Sequence, residues 1–153
     1  MSIISVMGLD RPPLALPTDP IFRVAEPIGA VRNAVDELRG KTDLIVVLAY
    51  LNPRDVDSLR TVKDVDVVIV TRPSRIPGAW VVERDGKVFA YSMFQGRGVG
   101  RIDLKVHGPH RISLMEGEMT MLSARIPDDP AMAELKRQFE EWKSQRIRGE
   151  EAY

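Results

Sequence analysis

The residues best placed to do chemistry are Arg54, Arg72, Ser74 and Arg75, each close behind one of two apolar runs. The runs are Leu44-Ile45-Val46-Val47-Leu48-Ala49 and Val67-Val68-Ile69-Val70. Both are apolar at successive positions, so each reads as a strand buried on both faces, as in a parallel sheet. Between them, Asn52-Pro53-Arg54-Asp55 reads as a helix start. Asn52 caps, Pro53 occupies the first turn, where its missing N–H is harmless, and Asp55 favours the positive helix end. In such a strand, helix, strand unit, ligands bind beyond the carboxyl ends of the strands, here the loops Tyr50–Arg54 and Thr71–Pro77. Three guanidiniums converging there, with the Ser74 hydroxyl, would suit a phosphate or carboxylate without a metal. The plainer reading is that these arginines solvate a loop or pair with Asp55, Asp57 and Asp64.

Other candidates are weaker. His107 and His110 form a His-x-x-His pair, but it sits in a Gly-Pro turn with no third ligand nearby in sequence, so an exposed hairpin turn is the expectation. Gly96-Arg97-Gly98-Val99-Gly100 precedes a strand rather than a helix and lacks the helix-end dipole that makes such loops hold phosphate; it reads as a glycine-rich turn or bulge. Asp128-Asp129 reads as a helix cap, and Asp64 with Asp66 brackets a strand start, neither pair with a base or nucleophile attached. Met132, Leu135, Phe139 and Trp142 follow 3-4-3 spacing and read as a helix packing face or an interaction surface.

The elements that must position these groups follow from the pattern. Ile3–Leu9 reads as a strand, and residues 10–27, with five prolines, as an irregular connection. Ile28, Val31, Val35 and Leu38 recur at helical spacing from Pro27 to Arg39, with Gly40 just past the end; Arg32, Asn33, Asp36, Glu37 and Arg39 form the solvated face. Ala79–Glu83 and Lys87–Ser92 flank the turn Arg84-Asp85-Gly86, and pair as a hairpin. Val99–Val106 alternates, with Ile102, Leu104 and Val106 on one face and Arg101, Asp103 and Lys105 on the other. Arg111–Glu116 and Glu118–Ser123 read as two further strands. Asp129 and Pro130 start a last helix, and Arg146–Tyr153 is expected to fray. The organisation expected is an α/β region over 1–127, a buried βαβ unit followed by antiparallel hairpins, and a C-terminal amphipathic helix over 128–148.

Composition narrows the function classes. The 153 residues carry 22 Lys plus Arg and 22 Asp plus Glu, so no global field draws the chain to nucleic acid or a membrane. Cysteine is absent, which excludes disulfides, thiol catalysis and cysteine metal sites. There is no apolar stretch of about 18 residues and no basic leader before Ile3–Leu9. With Met1 taken as the native start, a cytoplasmic protein is expected.

The stretches Thr42–Leu51 and Val65–Ser74 resemble the second half of a calcineurin-like metallophosphoesterase of the bacterial 5′-nucleotidase and UDP-sugar hydrolase type. Ile4-Ser5-Val6-Met7-Gly8-Leu9 resembles the strand that opens that half, and Gly96–Leu104 its closing strand. The resemblance spans roughly residues 3–106 and implies half of a two-sheet sandwich. It also implies metal ligands at the strand ends, a His after the first strand and a Gly-His-x-His loop after the second. This chain has Tyr50 at the first position and Arg72 and Ser74 at the others, with Arg75 adjacent. A guanidinium has no lone pair to give a dication, and phenol and hydroxyl are poor substitutes for imidazole. The family's first-half motifs, Asp-x-His, Gly-Asp and Gly-Asn-His, have no counterpart in the sequence.

The expectation is therefore a non-catalytic, degenerate metallophosphoesterase-like domain without a cofactor. It would act as a homodimer or with a partner subunit that covers the missing half. One alternative is a metal-dependent phosphoesterase or nucleotidase subunit completed by another chain. Another is a metal-free domain that binds a phosphate-containing small molecule at Arg54, Arg72, Ser74 and Arg75.

Overall fold

A computed structural model describes residues 1–8, 25–72, 80–92 and 96–150, excluding the side chains of 145 and 147–150. Within it the chain divides into two compact units, Met1–Met121 and Leu122–Tyr153. The first is a mixed α/β unit. Its elements are β1 (Ser2–Met7), α1 (Pro27–Leu38), β2 (Ile45–Tyr50), α2 (Pro53–Ser58) with a 3-10 turn at Leu59–Thr61, β3 (Val67–Val70), β4 (Val81–Arg84), β5 (Lys87–Tyr91), β6 (Gly98–Gly108) and β7 (Arg111–Met121).

Five strands form one sheet in the order β1-β2-β3-β5-β4, parallel except for β4, and β6 pairs with β7 in a separate antiparallel hairpin. The two apolar runs are the buried central strands that their composition predicts. Their side chains alternate between two cores. Ile45, Val47, Ala49, Val68, Val70 and Phe89 face α1 and α2, meeting Ile28, Val31, Val35, Val56 and Leu59. Val46, Val67 and Val88 face the β6–β7 hairpin and meet Ile112, with Ile102, Leu104 and Leu114 packed around them.

The local starts and stops follow the sequence. Asn52 caps α2 by accepting from the Asp55 amide at 3.0 Å, with Pro53 in the first turn. α1 is capped by Glu26, whose carboxylate accepts from the Ile28 and Gly29 amides at 2.9 and 2.6 Å. Both amides hold the Glu26 carboxyl below its usual range. The β4–β5 hairpin turns on Asp85 and Gly86, at φ of 53° and 71°, the left-handed pair that a two-residue turn between twisted strands requires. Ala79 and most of the Pro-rich connection at 10–27 lie outside the described residues.

Three expectations need correction in the hairpin. β7 is one strand of 11 residues rather than two. Gly117 does not break it, but leaves room for packing: a Cβ there would stand 2.3 Å from Val81 Cγ1 and 3.2 Å from Trp80 Cζ2. Gly100, on β6, does the same for Trp80, with 2.6 Å to Cζ3. The glycine-rich segment is thus a turn only near Gly96, at φ 65°, while Gly98 and Gly100 belong to the strand. The alternation of β6 also fails at Val106, which is exposed. Register shifts after Asp103 and after Val106 insert an extra residue in the partner strand and then in β6, so Val106 sits between two irregularities, exposed although its pairing partner Ile112 is buried.

The second unit holds the segment 122–129 and α3 (Pro130–Glu150). Asp129 caps α3, its Oδ1 accepting from the Ala131 and Met132 amides at 3.0 Å each. The helix continues to Glu150 rather than fraying from Arg146. Among the described residues no helix is long and apolar enough to cross a membrane.

Candidate functional site at the strand ends

The carboxyl ends of β1, β2 and β3 lie side by side because the three strands are parallel and in register, with Met7 opposite Tyr50 and Ala49 opposite Val70. Backbone hydrogen bonds carry the alignment past the strands, from Gly8 N–H to Tyr50 O and from Thr71 N–H to Ala49 O, both 2.9 Å. The start of α2 closes one side, where Asn52 Nδ2 donates to Asp55 Oδ2 at 2.7 Å. The close passage of β1 is possible because residue 8 is Gly: a Cβ there would meet Leu51 Cδ2 at 3.1 Å.

On this platform Arg72 lies over the Tyr50 ring, its guanidinium carbon 5.8 Å from the ring centroid. Two of the three positions that the resemblance assigns to metal ligands are therefore in contact, but as a cation on an aromatic face, an arrangement stabilised by the ring quadrupole. Tyr50 is half exposed. Arg54, in the first turn of α2, is exposed. Ser74 and Arg75 lie outside the described residues. Among the described residues, no group of three His, Asp or Glu comes close enough together to hold a metal ion.

A cavity of about 140 Å³ lies beside α2, lined by Pro53, Val56, Asp57, Arg60, Arg84, Phe89 and Tyr91. Its cation Arg60 is paired with Asp57 at 3.0 Å and Asp85 at 2.6 Å, and these carboxylates hold the guanidinium above its ordinary range. The Arg60 charge is answered by these two carboxylates, while Arg84, also on the cavity wall, forms no ion pair among the described residues.

The opposite pole, at the amino ends of β2 and β3, carries the groups that sequence reasoning placed wrongly. Asp66 is 2% exposed, and its Oδ2 accepts from the Ile45 amide at 2.7 Å and lies 2.9 Å from His110 Nδ1. A carboxylate oxygen only accepts, so the imidazole proton on this side sits on Nδ1. The expectation that Asp66 has no base attached is overturned, and so is the reading of His110 as part of an exposed turn. The turn itself is real, with His110 at φ 52° and its amide donating to Asp43 O at 2.9 Å, and it folds the ring inward onto Asp66. His107 does not join it: its Nε2 lies 2.9 Å from Ser113 Oγ. Nearby Lys87 is buried and donates from Nζ to Val62 O and Val65 O, at 2.9 and 2.8 Å. Burial lowers the pKa of its ammonium, while the carboxylates of Asp66, Asp64 and Asp85 work against that shift.

Forty-four residues separate Asp66 from His110, so no local spacing announces the pair. The signal available was indirect: Asp66 interrupts an otherwise apolar stretch, Val65 to Val70, and a carboxylate buried there needs a partner. The pair sits at the pole away from the strand-end loops, and joins the hairpin tip to the sheet. No family model matches the chain, and no curated protein matches it.

Proposed function

We propose that this chain is a non-catalytic, degenerate metallophosphoesterase-like domain that works by association, pairing with a second copy of itself. The observation that carries the proposal is the Arg72–Tyr50 contact at 5.8 Å. At the strand ends, where a metallophosphoesterase would present imidazoles to a metal, this chain sets a permanent cation against an aromatic ring.

The association half of the reading is supported by the sheet face opposite the helices. The hairpin covers Val46, Val67 and Val88 but leaves Ile3, Met7 and Tyr50 exposed, at 59%, 65% and 45%. Among the described residues β1 is paired on one side alone, with β2, and Ser2–Met7 contains no charge and no proline to discourage a second strand. Two such edges meeting antiparallel about a two-fold axis would extend the sheet and cover both apolar rows.

The test is light scattering on the eluting full-length chain, together with turnover of a generic phosphodiester in Mn²⁺. A dimer that Ile3→Lys with Met7→Lys converts to monomer, without turnover, is expected. A monomer across the accessible concentration range overturns the association, and metal-dependent turnover overturns the non-catalytic assignment.

A further inference from the structure

Independently of that reading, we infer that α3 is a docking helix for a protein partner whose apolar groove is rimmed by carboxylates. Met132, Leu135, Phe139 and Trp142 recur at three- and four-residue steps along α3 and are 62%, 57%, 55% and 52% exposed. They form one stripe. The Phe139 and Trp142 rings stack at 5.9 Å, and the Arg146 guanidinium carbon lies 5.3 Å from the Trp142 ring centroid. The stripe continues into a groove of about 450 Å³ bounded by Leu122, Ile126, Pro127, Met132 and Lys136. An aromatic pair with adjoining aliphatic anchors is the composition that concentrates binding energy at interfaces.

Charge says which partner fits. On the polar face Arg137 pairs with Glu134 at 2.6 Å and with Glu141, so that face answers its own charges. Lys136 and Lys143 instead flank one side of the stripe, seven residues apart, and neither forms an ion pair among the described residues. Neutral Gln138 lies on the other side. A groove with carboxylates along one rim answers both lysines. A second copy of α3 does not: antiparallel helices would set lysine against lysine, and parallel ones lysine against glutamine. An anionic lipid surface fits less well, because Glu134, Glu140 and Glu141 share the polar face with the cations.

The experiment titrates the full-length chain into a fluorescently labelled synthetic helix with leucine in its seam and glutamate on both flanks. A twin with lysine flanks serves as the comparison, and fluorescence anisotropy is the readout. The acidic probe is expected to bind about tenfold more tightly than the basic one at low salt, a gap that closes as salt rises. Lys136→Glu with Lys143→Glu should reverse the preference. Phe139→Ser with Trp142→Ser should abolish binding to both probes while circular dichroism stays unchanged. Equal affinity for the two probes, or no binding to the acidic one, overturns the inference. So does self-association that Phe139→Ser with Trp142→Ser abolishes but Ile3→Lys with Met7→Lys leaves intact, or tighter binding to phosphatidylserine vesicles than to the acidic probe.

Discussion

Replacing Asp66 by Ala should cost the first unit about 3–5 kcal/mol, the scale of removing a buried carboxylate that accepts two hydrogen bonds. The figure follows from what the carboxylate touches. Its Oδ2 takes the Ile45 amide at 2.7 Å and the His110 ring at 2.9 Å, each a hydrogen bond to a charged group, of about 1.5–3 kcal/mol. Removing it also leaves the buried Ile45 amide without its acceptor and takes a compensating charge away from Lys87. Against a typical domain stability of about 5–15 kcal/mol, the loss is large enough to read as a shifted urea midpoint with an unchanged slope. His110→Ala should cost less, because the Ile45 hydrogen bond survives. The two changes together should fall short of their sum by about 1–2 kcal/mol, since both remove the same contact. Asp64→Asn provides the control. Asp64 stands 3.7 Å from exposed Arg39 and acts on Lys87 less than Asp66 does, so its loss should cost under about 1 kcal/mol. A cost below about 1 kcal/mol for Asp66→Ala, or strict additivity with His110→Ala, would refute the claim that this pair fastens the hairpin to the sheet.

Other expectations test separate parts of the structure. Gly117→Ala places a Cβ 2.3 Å from Val81 Cγ1 and should destabilise by about 1–3 kcal/mol in the same urea assay, by overpacking. Gly86→Ala meets no atom but must hold φ at 71°, and should cost about 1 kcal/mol. For Lys87, burial keeps the folded pKa below the ordinary 10.5, so the unfolded chain binds more protons between those values and stability should rise with pH through that window. Lys87→Met should flatten this rise, as read from urea midpoints between about pH 8 and about pH 10.5. Tyr50→Ala removes one exposed cation–π contact and should cost under about 1 kcal/mol.

How much of this was legible in the sequence depends on the range of the interactions. The buried strands, the Asn52 and Asp129 caps and the Asp85-Gly86 turn were readable because each is decided by a few adjacent residues. The strand alternation was readable up to Lys105 and failed at Val106, since an irregular register depends on pairing with another strand. Gly117 was misread because a glycine that ends a strand and one that makes room for Val81 and Trp80 look alike until those side chains are placed. At the candidate site the sequence placed Tyr50 and Arg72 on the two loops that follow the parallel strands. It did not announce that they touch, because side-chain direction at the end of a strand depends on the loops.

The two poles of the sheet are chemically unequal, and the inequality bears on what the chain does. At the amino ends a buried carboxylate, an imidazole and an ammonium answer one another and tie three separate segments together, so substitution there should be read in stability. At the carboxyl ends, where an open parallel sheet offers its ligand site, Arg72 lies over the Tyr50 ring and both remain in contact with solvent. A working metal site accepts the cost of holding several donors together, because the ion repays it on binding. A cation resting on a ring needs no such repayment and is stable as it stands. On the reading proposed above, a partner would be met along β1 and α3, where the apolar side chains of Ile3, Met7, Leu135, Phe139 and Trp142 face water.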